Sequence, residues 1–405
     1  MRRSESQEFK DALKEGKIGY DYEDKDLIGD GSVARVYAGI LYYIADKAKK
    51  MACAVRNIVV QDTNEYSYKD DCKIHSLLTR DLSSREAGIV KSMFFYDPIR
   101  HPECRRILLS RCDTTLDVVI EKIGELLHTF PHGETRYLDC FFVELLASMC
   151  RALSNLQRHS VVHADIKPEN IGIRLDPAAG DLYCVLLDLG SAKSYDPREN
   201  QIQDVQNRLH GSAPYMAPEV CDAFGNTNDT PVPCLPLPAA VDMYSLGMVL
   251  SAVLVASRKP MPSQIAMPQS GLFAFAYIAS QGLKYQIARN EHHAENQRGL
   301  FKSQEDMLQS LLALSPNECV YKLVECMCAL FPENRPTITT LDAVIRRLES
   351  ILSEKITKMT AEDQEKMRLF YRELITPPKN QDEEWSFFSE HKLAEAAAAV
   401  DLKMS

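Results

Sequence analysis

The first hundred residues alternate in short strides. Between Leu27 and Arg111, runs rich in β-branched and aromatic residues are separated by turn-forming stretches: Ser32 to Ile40, Met51 to Val60, Lys91 to Tyr96 and Arg106 to Ser110. These runs predict strands, whose side chains point to opposite faces in turn. One helical stretch, from about Tyr66 to Leu82, interrupts them. After Thr115 the period lengthens. Phe142, Leu145, Leu146, Met149, Leu153 and Leu156 recur at the spacing of a single helix face, and Leu341, Val344, Ile345, Leu348, Ile351 and Leu352 repeat the pattern near the end. Val241 to Ser257 is apolar on every side, which predicts a helix buried all round; Asp242 and its length argue against a membrane span. A small sheet-rich lobe followed by a larger helical lobe, an α+β arrangement, is the expected architecture.

Two stretches follow neither period. Asn226 to Pro238 carries Pro231, Pro233, Pro236 and Pro238 and reads as a surface spacer, and Pro260 to about Arg298 is also irregular. Beyond Glu354 a charged helical segment runs to Thr376-Pro-Pro378. A tail follows with Trp385, Phe387 and Phe388 among acids, then an alanine-rich end. The expected division is an N-terminal extension over 1–25, one domain over 26–352 (small lobe 26–112, large lobe 113–352), and a helical extension and tail over 353–405. The tail and the proline-rich loop are the candidate seats for a regulatory protein partner.

Composition narrows the function classes. At roughly 150 residues per domain, 405 residues suggest two or three. Hydrophobic residues make up 45% and charged residues 26%, a globular balance that excludes collagen-like, mucin-like and largely disordered chains. Lys and Arg number 47 against 57 Asp and Glu, a net charge of −10, so no nucleic-acid partner is expected. No membrane partner is expected either, and the first ten residues lack the apolar core of a secretory signal. The twelve cysteines are scattered; only Cys326 and Cys328 lie close, and a C-x-C pair alone is no zinc signature. Reduced thiols in a cytoplasmic or nuclear protein are the expectation.

The chemistry is concentrated in two segments. His163-Ala-Asp-Ile-Lys-Pro-Glu-Asn170 follows the β-like Val161-Val162, and Leu186-Leu-Asp-Leu-Gly190 comes soon after. Moving the γ-phosphoryl of ATP to a hydroxyl needs a carboxylate to accept or orient the hydroxyl proton. It also needs a cation against the transferring oxygens and oxygen ligands for Mg²⁺. Asp165, Lys167, Asn170 and Asp188 supply that set. Further on come Gly211-Ser-Ala-Pro-Tyr-Met-Ala-Pro-Glu219, Asp242-Met-Tyr-Ser-Leu-Gly247 and Pro332-Glu-Asn-Arg-Pro336.

In this order the segments resemble the signature set of the eukaryotic protein kinases, over roughly Leu27 to Leu352. The resemblance implies the bilobal kinase fold, ATP and Mg²⁺, and protein substrates. Lys167-Pro-Glu-Asn and Ser212 are similar to the serine/threonine branch. By resemblance Asp165 is the catalytic base, Lys167 contacts the γ-phosphate, and Asn170 and Asp188 hold Mg²⁺. Glu219 and Arg335 form a structural ion pair, and Asp242 anchors the catalytic-loop backbone. The phosphate-covering loop is Ile28-Gly-Asp-Gly-Ser-Val-Ala-Arg-Val36, where Gly29 and Gly31 allow close backbone approach and Ala34 replaces a third glycine. Val36 and Ala54 roof the adenine, and the hinge runs through Ser110, Arg111 and Cys112.

Five departures from the family pattern stand out. Arg56, in Cys53-Ala-Val-Arg56, takes the place of the ATP-anchoring lysine, and a planar guanidinium is not equivalent to a compact ammonium. No Glu sits at the helix position that partners that lysine. Asp71 and His75 are both candidates, and Lys47, Lys49 and Lys50 are nearby cations. Ala164 stands where many kinases carry Arg, so activity is not expected to depend on phosphorylating Ser191, Ser194 or Tyr195. Leu189 replaces the Phe of the D-F-G triplet, and Gly172 lies where a bulkier residue usually floors the adenine pocket. Two functions follow: a serine/threonine kinase with an altered anchor, or a pseudokinase scaffold that binds nucleotide weakly or not at all.

Overall fold

The structure, a computed structural model, describes residues 18–30, 34–44, 50–58, 68–80, 82–95, 105–129, 135–176, 180–199, 201–202, 211–225, 235–236, 238–257, 281, 283–285 and 301–376. Gly31, Lys47, Lys49, most of the proline-rich loop and Trp385 with its neighbours lie outside these residues. The chain divides into two compact units, the first running to Thr114 and the second from Thr115 to Ile375.

The first unit is a twisted antiparallel sheet of six strands: β1 (Ile18–Asp21), β2 (Leu27–Asp30), β3 (Ala34–Tyr43), β4 (Lys50–Ile58), β5 (Ser92–Phe95) and β6 (Arg106–Ser110). The order is β1-β3-β4-β6-β5, with β2 also paired to β3. Each predicted run gives a strand, with ends shifted by a few residues. The alternation in β4 sends Cys53 and Val55 to one face, where they pack with Tyr37, Leu41 and Leu108. Ala54 and Arg56 therefore point to the other face. Helix α1 (Tyr68–Thr79) is tied to the sheet at both ends. The Tyr68 hydroxyl donates to the Arg106 carbonyl of β6 at 3.0 Å, and the Thr79 and Ser92 hydroxyls meet at 3.2 Å.

The second unit is mainly helical. Helix α2 (Leu116–Thr129) precedes α3 (Thr135–Arg158), whose predicted apolar face is buried throughout. Strand β7 (Val161–Val162) leads into the segment His163 to Asn170, which ends at the hairpin of β8 (Ile171–Leu175) and β9 (Leu182–Leu186). A short strand, β10 (Lys193–Ser194), returns to pair with β7. Helices α4 (Pro218–Gly225), α5 (Pro238–Ala256), α6 (Gln304–Ala313), α7 (Pro316–Met327) and α8 (Ile338–Thr357) follow among the described residues. Among the described residues α5 alone is long and apolar enough to cross a membrane, yet 72% of that window is buried within the protein. It is the core helix. Local signals fix the starts: Ser315 and Glu318 form a reciprocal capping box at α7, with Pro316 in the first turn, and Thr337 caps α8 by accepting from the Thr340 N–H.

Helix α8 runs on unbroken to Thr357, and after a three-residue break a further helix, α9 (Ala361–Ile375), belongs to the same compact unit. The reason is an apolar face: Phe370, Tyr371 and Leu374 are buried, and the Phe370 ring lies 5.7 Å from that of Tyr137. The charge of the segment conceals this face in the sequence, because the apolar residues occupy one narrow side of an otherwise polar helix.

Candidate active site

The segment between β7 and β8, His163 to Asn170, is held from below by one carboxylate. The backbone N–H groups of His163 and Ala164 donate to Oδ2 and Oδ1 of Asp242 at 2.8 and 2.9 Å. Burial pushes the Asp242 carboxyl up, opposed by His163 and by these two amides. Ala164 takes a left-handed conformation with φ 66°, which turns the chain sharply just before Asp165. An L-residue there is strained, by about 1–3 kcal/mol, and the two bonds to Asp242 hold it in place. The buried His163 ring adds a second tether: Nε2 sits 2.8 Å from the Leu187 carbonyl, while Nδ1 accepts from the Asp165 N–H at 3.4 Å. Those partners fix the Nε2–H tautomer.

Three predicted residues converge on Asp165. Its Oδ1 accepts the backbone N–H of Ser212 at 2.9 Å, and its Oδ2 lies 3.1 Å from the Asn170 side-chain nitrogen and 3.0 Å from the Lys167 ammonium. Lys167 also donates to the Ser212 hydroxyl at 2.8 Å. The Asn170 amide nitrogen donates in addition to the Asp165 carbonyl at 2.9 Å. Gly211 is what lets Ser212 come this close. A Cβ on it would lie 2.8 Å from the Ala164 carbonyl oxygen, inside any real contact distance.

Asp188 is carried to the same region by the backbone. The N–H of Leu187 donates to the Asn170 carbonyl at 2.8 Å, and the Leu187 carbonyl meets His163, so the residue before Asp188 is pinned on both sides. Asp188 has φ 41° and caps a short turn, its Oδ1 accepting from the Gly190 N–H at 3.1 Å. The donor chemistry here fits Mg²⁺. Asn170 uses its amide nitrogen in both bonds to Asp165, so neither involves its carbonyl oxygen, the atom able to ligate a hard cation. Asp188 adds an exposed carboxylate. Among the described residues no group of three or more His, Cys, Asp or Glu could hold a metal by itself. Two oxygen ligands suit an ion shared with nucleotide phosphates.

In the first unit, strand register gathers the other candidates. Val36 is directly opposite Arg56, Gly29 opposite Val36, and Ala38 opposite Ala54, so Gly29, Val36, Ala54 and Arg56 share one face. A Cβ on Gly29 would meet Val36 at 3.6 Å, ordinary contact, so among the described residues nothing requires glycine there. Ile28 sits at the register shift of β2 and is half-buried. Ser110 and Cys112 are also half-buried, while Arg111 between them is buried and its guanidinium is pushed down by desolvation, against the pull of Asp113 and Cys53. Arg56 is 3% exposed and donates through Nη1 to Oδ2 of Asp71 on α1. His75, fully buried one turn later, approaches Oδ1 of the same carboxylate at 3.4 Å. Of the two helix positions left open by the sequence, Asp71 takes the guanidinium and His75 stands behind it.

The remaining motif residues are structural. Arg335 makes a bidentate pair with Glu219 at 2.6 and 2.7 Å and donates to the carbonyls of Ala240, Ala329 and Leu330. Two contributors escaped the sequence reading. Nothing local marks the tethering ring of His163, and the need for glycine at Gly211 depends on a carbonyl nearly fifty positions away.

Comparison with known proteins bears on the family. The family model described as protein kinase domain matches residues 22–344. The serine/threonine-protein kinase PknB of Mycolicibacterium smegmatis is 32% identical over 138 residues, covering 34% of this chain and 19% of that protein. The serine/threonine-protein kinase ATG1b of Arabidopsis thaliana is 26% identical over 312 residues, covering 76% of this chain and 36% of its own length. A shorter match, 28% over 118 residues, is to the serine/threonine-protein kinase/endoribonuclease ire-1 of Caenorhabditis elegans, of which it covers 11%. The chain thus spans a fifth to about a third of the first two relatives.

Proposed function

The chain belongs to the protein kinase family, and from that premise we propose that it is an active serine/threonine kinase whose ATP anchor is Arg56 paired with Asp71. The observation that carries this reading is the network centred on Asp165, in which Lys167, Asn170 and Ser212 each bond to its carboxylate or to one another.

In this reading the substrate hydroxyl approaches Asp165, whose carboxylate takes the proton as the new O–P bond forms and the bond between the γ-phosphorus and the bridging oxygen of ADP breaks. Lys167, between Asp165 and Ser212, offers its ammonium to the equatorial oxygens as their charge changes. Asn170 and Asp188 would hold Mg²⁺, which supplies charge neutralisation and orientation of the phosphates when bound. Arg56, through the arms of its guanidinium fork not bound to Asp71, would reach the α- and β-phosphates. Asp71 is one methylene shorter than the usual Glu, and Arg is longer than Lys, so the pair keeps its span with the lengths exchanged.

A nucleotide-binding scaffold is the second reading. The buried, Asp71-bound state of Arg56 favours it, since a cation so engaged has less to give to phosphate. One experiment separates the two: transfer of γ-phosphate to a generic protein substrate or to the chain itself, in wild type and in Asp188→Ala. Transfer that disappears in the variant supports the kinase. Absence of transfer in wild type, with Mg²⁺-dependent thermal stabilisation by ATP, supports the scaffold.

A further inference from the structure

His75 belongs to no motif of the reaction, yet it is completely buried and lies against the partner of the anchor. Residues four apart on a helix stack on one face, and helical side chains lean toward the N-terminus, so the ring of His75 is directed back over Asp71. The three side chains Arg56, Asp71 and His75 are all nearly or wholly shielded from water. A guanidinium and a carboxylate balance in charge. A protonated imidazole beside them would leave a net positive charge in the core, which burial disfavours. A neutral ring, with the hydrogen on one nitrogen, avoids that charge. Its Nε2 faces Oδ1 of Asp71 at 3.4 Å, within ion-pair range but short of hydrogen-bonding geometry as it stands.

We propose that His75 is a positioning residue of the phosphate anchor: as the Nε2–H tautomer it holds Oδ1 of Asp71, so that Oδ2 is presented to Arg56. The carboxylate of an Asp on α1 can rotate about two bonds. With one oxygen held, the other keeps a fixed direction, and the guanidinium it grips keeps its remaining N–H groups aimed at the nucleotide. This role rests on the kinase reading for its nucleotide, and on the geometry of α1 and β4 alone for its hydrogen bond. It also accounts for the residue type: a neutral donor is needed there, and a second acid would repel Asp71.

Two measurements on the full chain test it. Histidine-selective ¹⁵N labelling, with the His75 signal identified by its loss in His75→Gln, reads the tautomer. The expected result is hydrogen on Nε2. Hydrogen on Nδ1 would turn a lone pair toward the carboxylate and overturn the proposal whatever the enzyme does. Kinetically, His75→Leu should raise KM for Mg–ATP by about 10-fold with a smaller change in kcat, the scale seen when supporting hydrogen bonds around a site are removed. His75→Gln places an amide donor near the same point and should recover most of that loss. A wild-type KM in the Leu variant, or equal impairment in Leu and Gln, overturns the positioning role. A wild type that neither binds nor turns over ATP while showing the Nε2–H tautomer overturns the kinase reading, and the anchor role with it, but leaves the hydrogen bond standing.

Discussion

Both oxygens of Asp165 are engaged by the protein itself, one by the Ser212 N–H and the other by Asn170 and Lys167. Its direction is thus set by the protein alone, which in the kinase reading is the condition for efficient proton acceptance. Asp165→Asn keeps the shape and removes the basicity, so kcat should fall by about 10²–10⁴-fold while KM for ATP moves little, as steady-state kinetics would read. The Arg56–Asp71 pair behaves differently, because it is buried. Arg56→Ala strands a carboxylate in the core and should cost about 3–5 kcal/mol in chemical denaturation, whereas Arg56→Met with Asp71→Leu should recover most of that stability without activity. The exchanged lengths give a sharper check. Arg56→Lys alone should lower the transfer rate, because a shorter cation then faces a shorter acid, and adding Asp71→Glu should restore part of it.

Among elements, the turn after β7 depends on contacts far along the chain. Asp242 on α5 ties down its amides, and Gly211 allows the segment bearing Ser212 to lie against the Ala164 carbonyl. Gly211→Ala would push that segment away from Asp165. A displacement of about 1 Å at such a position can cost 10²-fold in rate, so a large loss of kcat with little loss of thermal stability is expected. Activity that survives unchanged would show that Ser212 is not needed so close. The segment after Asp188 has its own restraints: Ser194 pairs in β10 with Val161, and the Tyr195 N–H donates to the Ser160 carbonyl at 2.9 Å. With Ala164 in the place of an arginine, replacing Ser191, Ser194 and Tyr195 together by Ala should leave the rate within a few-fold. Collapse of activity would contradict it.

Over the whole molecule, the second unit extends beyond the family match, which ends at residue 344, through the rest of α8 and all of α9. Helix α9 packs against α2 and β8, and the Tyr137 hydroxyl donates to the Asp363 carbonyl at 3.4 Å. Helix α2 and strand β8 are the elements that follow the expected hinge and Asn170, so α9 braces the scaffold of the site from outside. Phe370→Ala should therefore cost about 3–5 kcal/mol, the usual range for a buried Phe truncated to Ala, seen as a lowered melting temperature. Unchanged melting would mean that α9 is docked only loosely.

The amino-acid order alone determined the class of fold, because the periods of strand and helix are properties of neighbouring residues, and the buried faces of α3, α5 and α8 follow from them. It also marked the candidate site, since Asp165, Lys167 and Asn170 lie within six residues of one another. What it left open was decided by packing. Asp71 and His75 sit one turn apart on the same side of α1, so either could meet Arg56, and only the seating of that helix on the sheet gives the guanidinium to the acid. The glycine at Gly211, the tether of His163 and the apolar side of α9 were equally hidden. Each depends on an atom distant in the chain, and distance along a chain carries no record of distance in space.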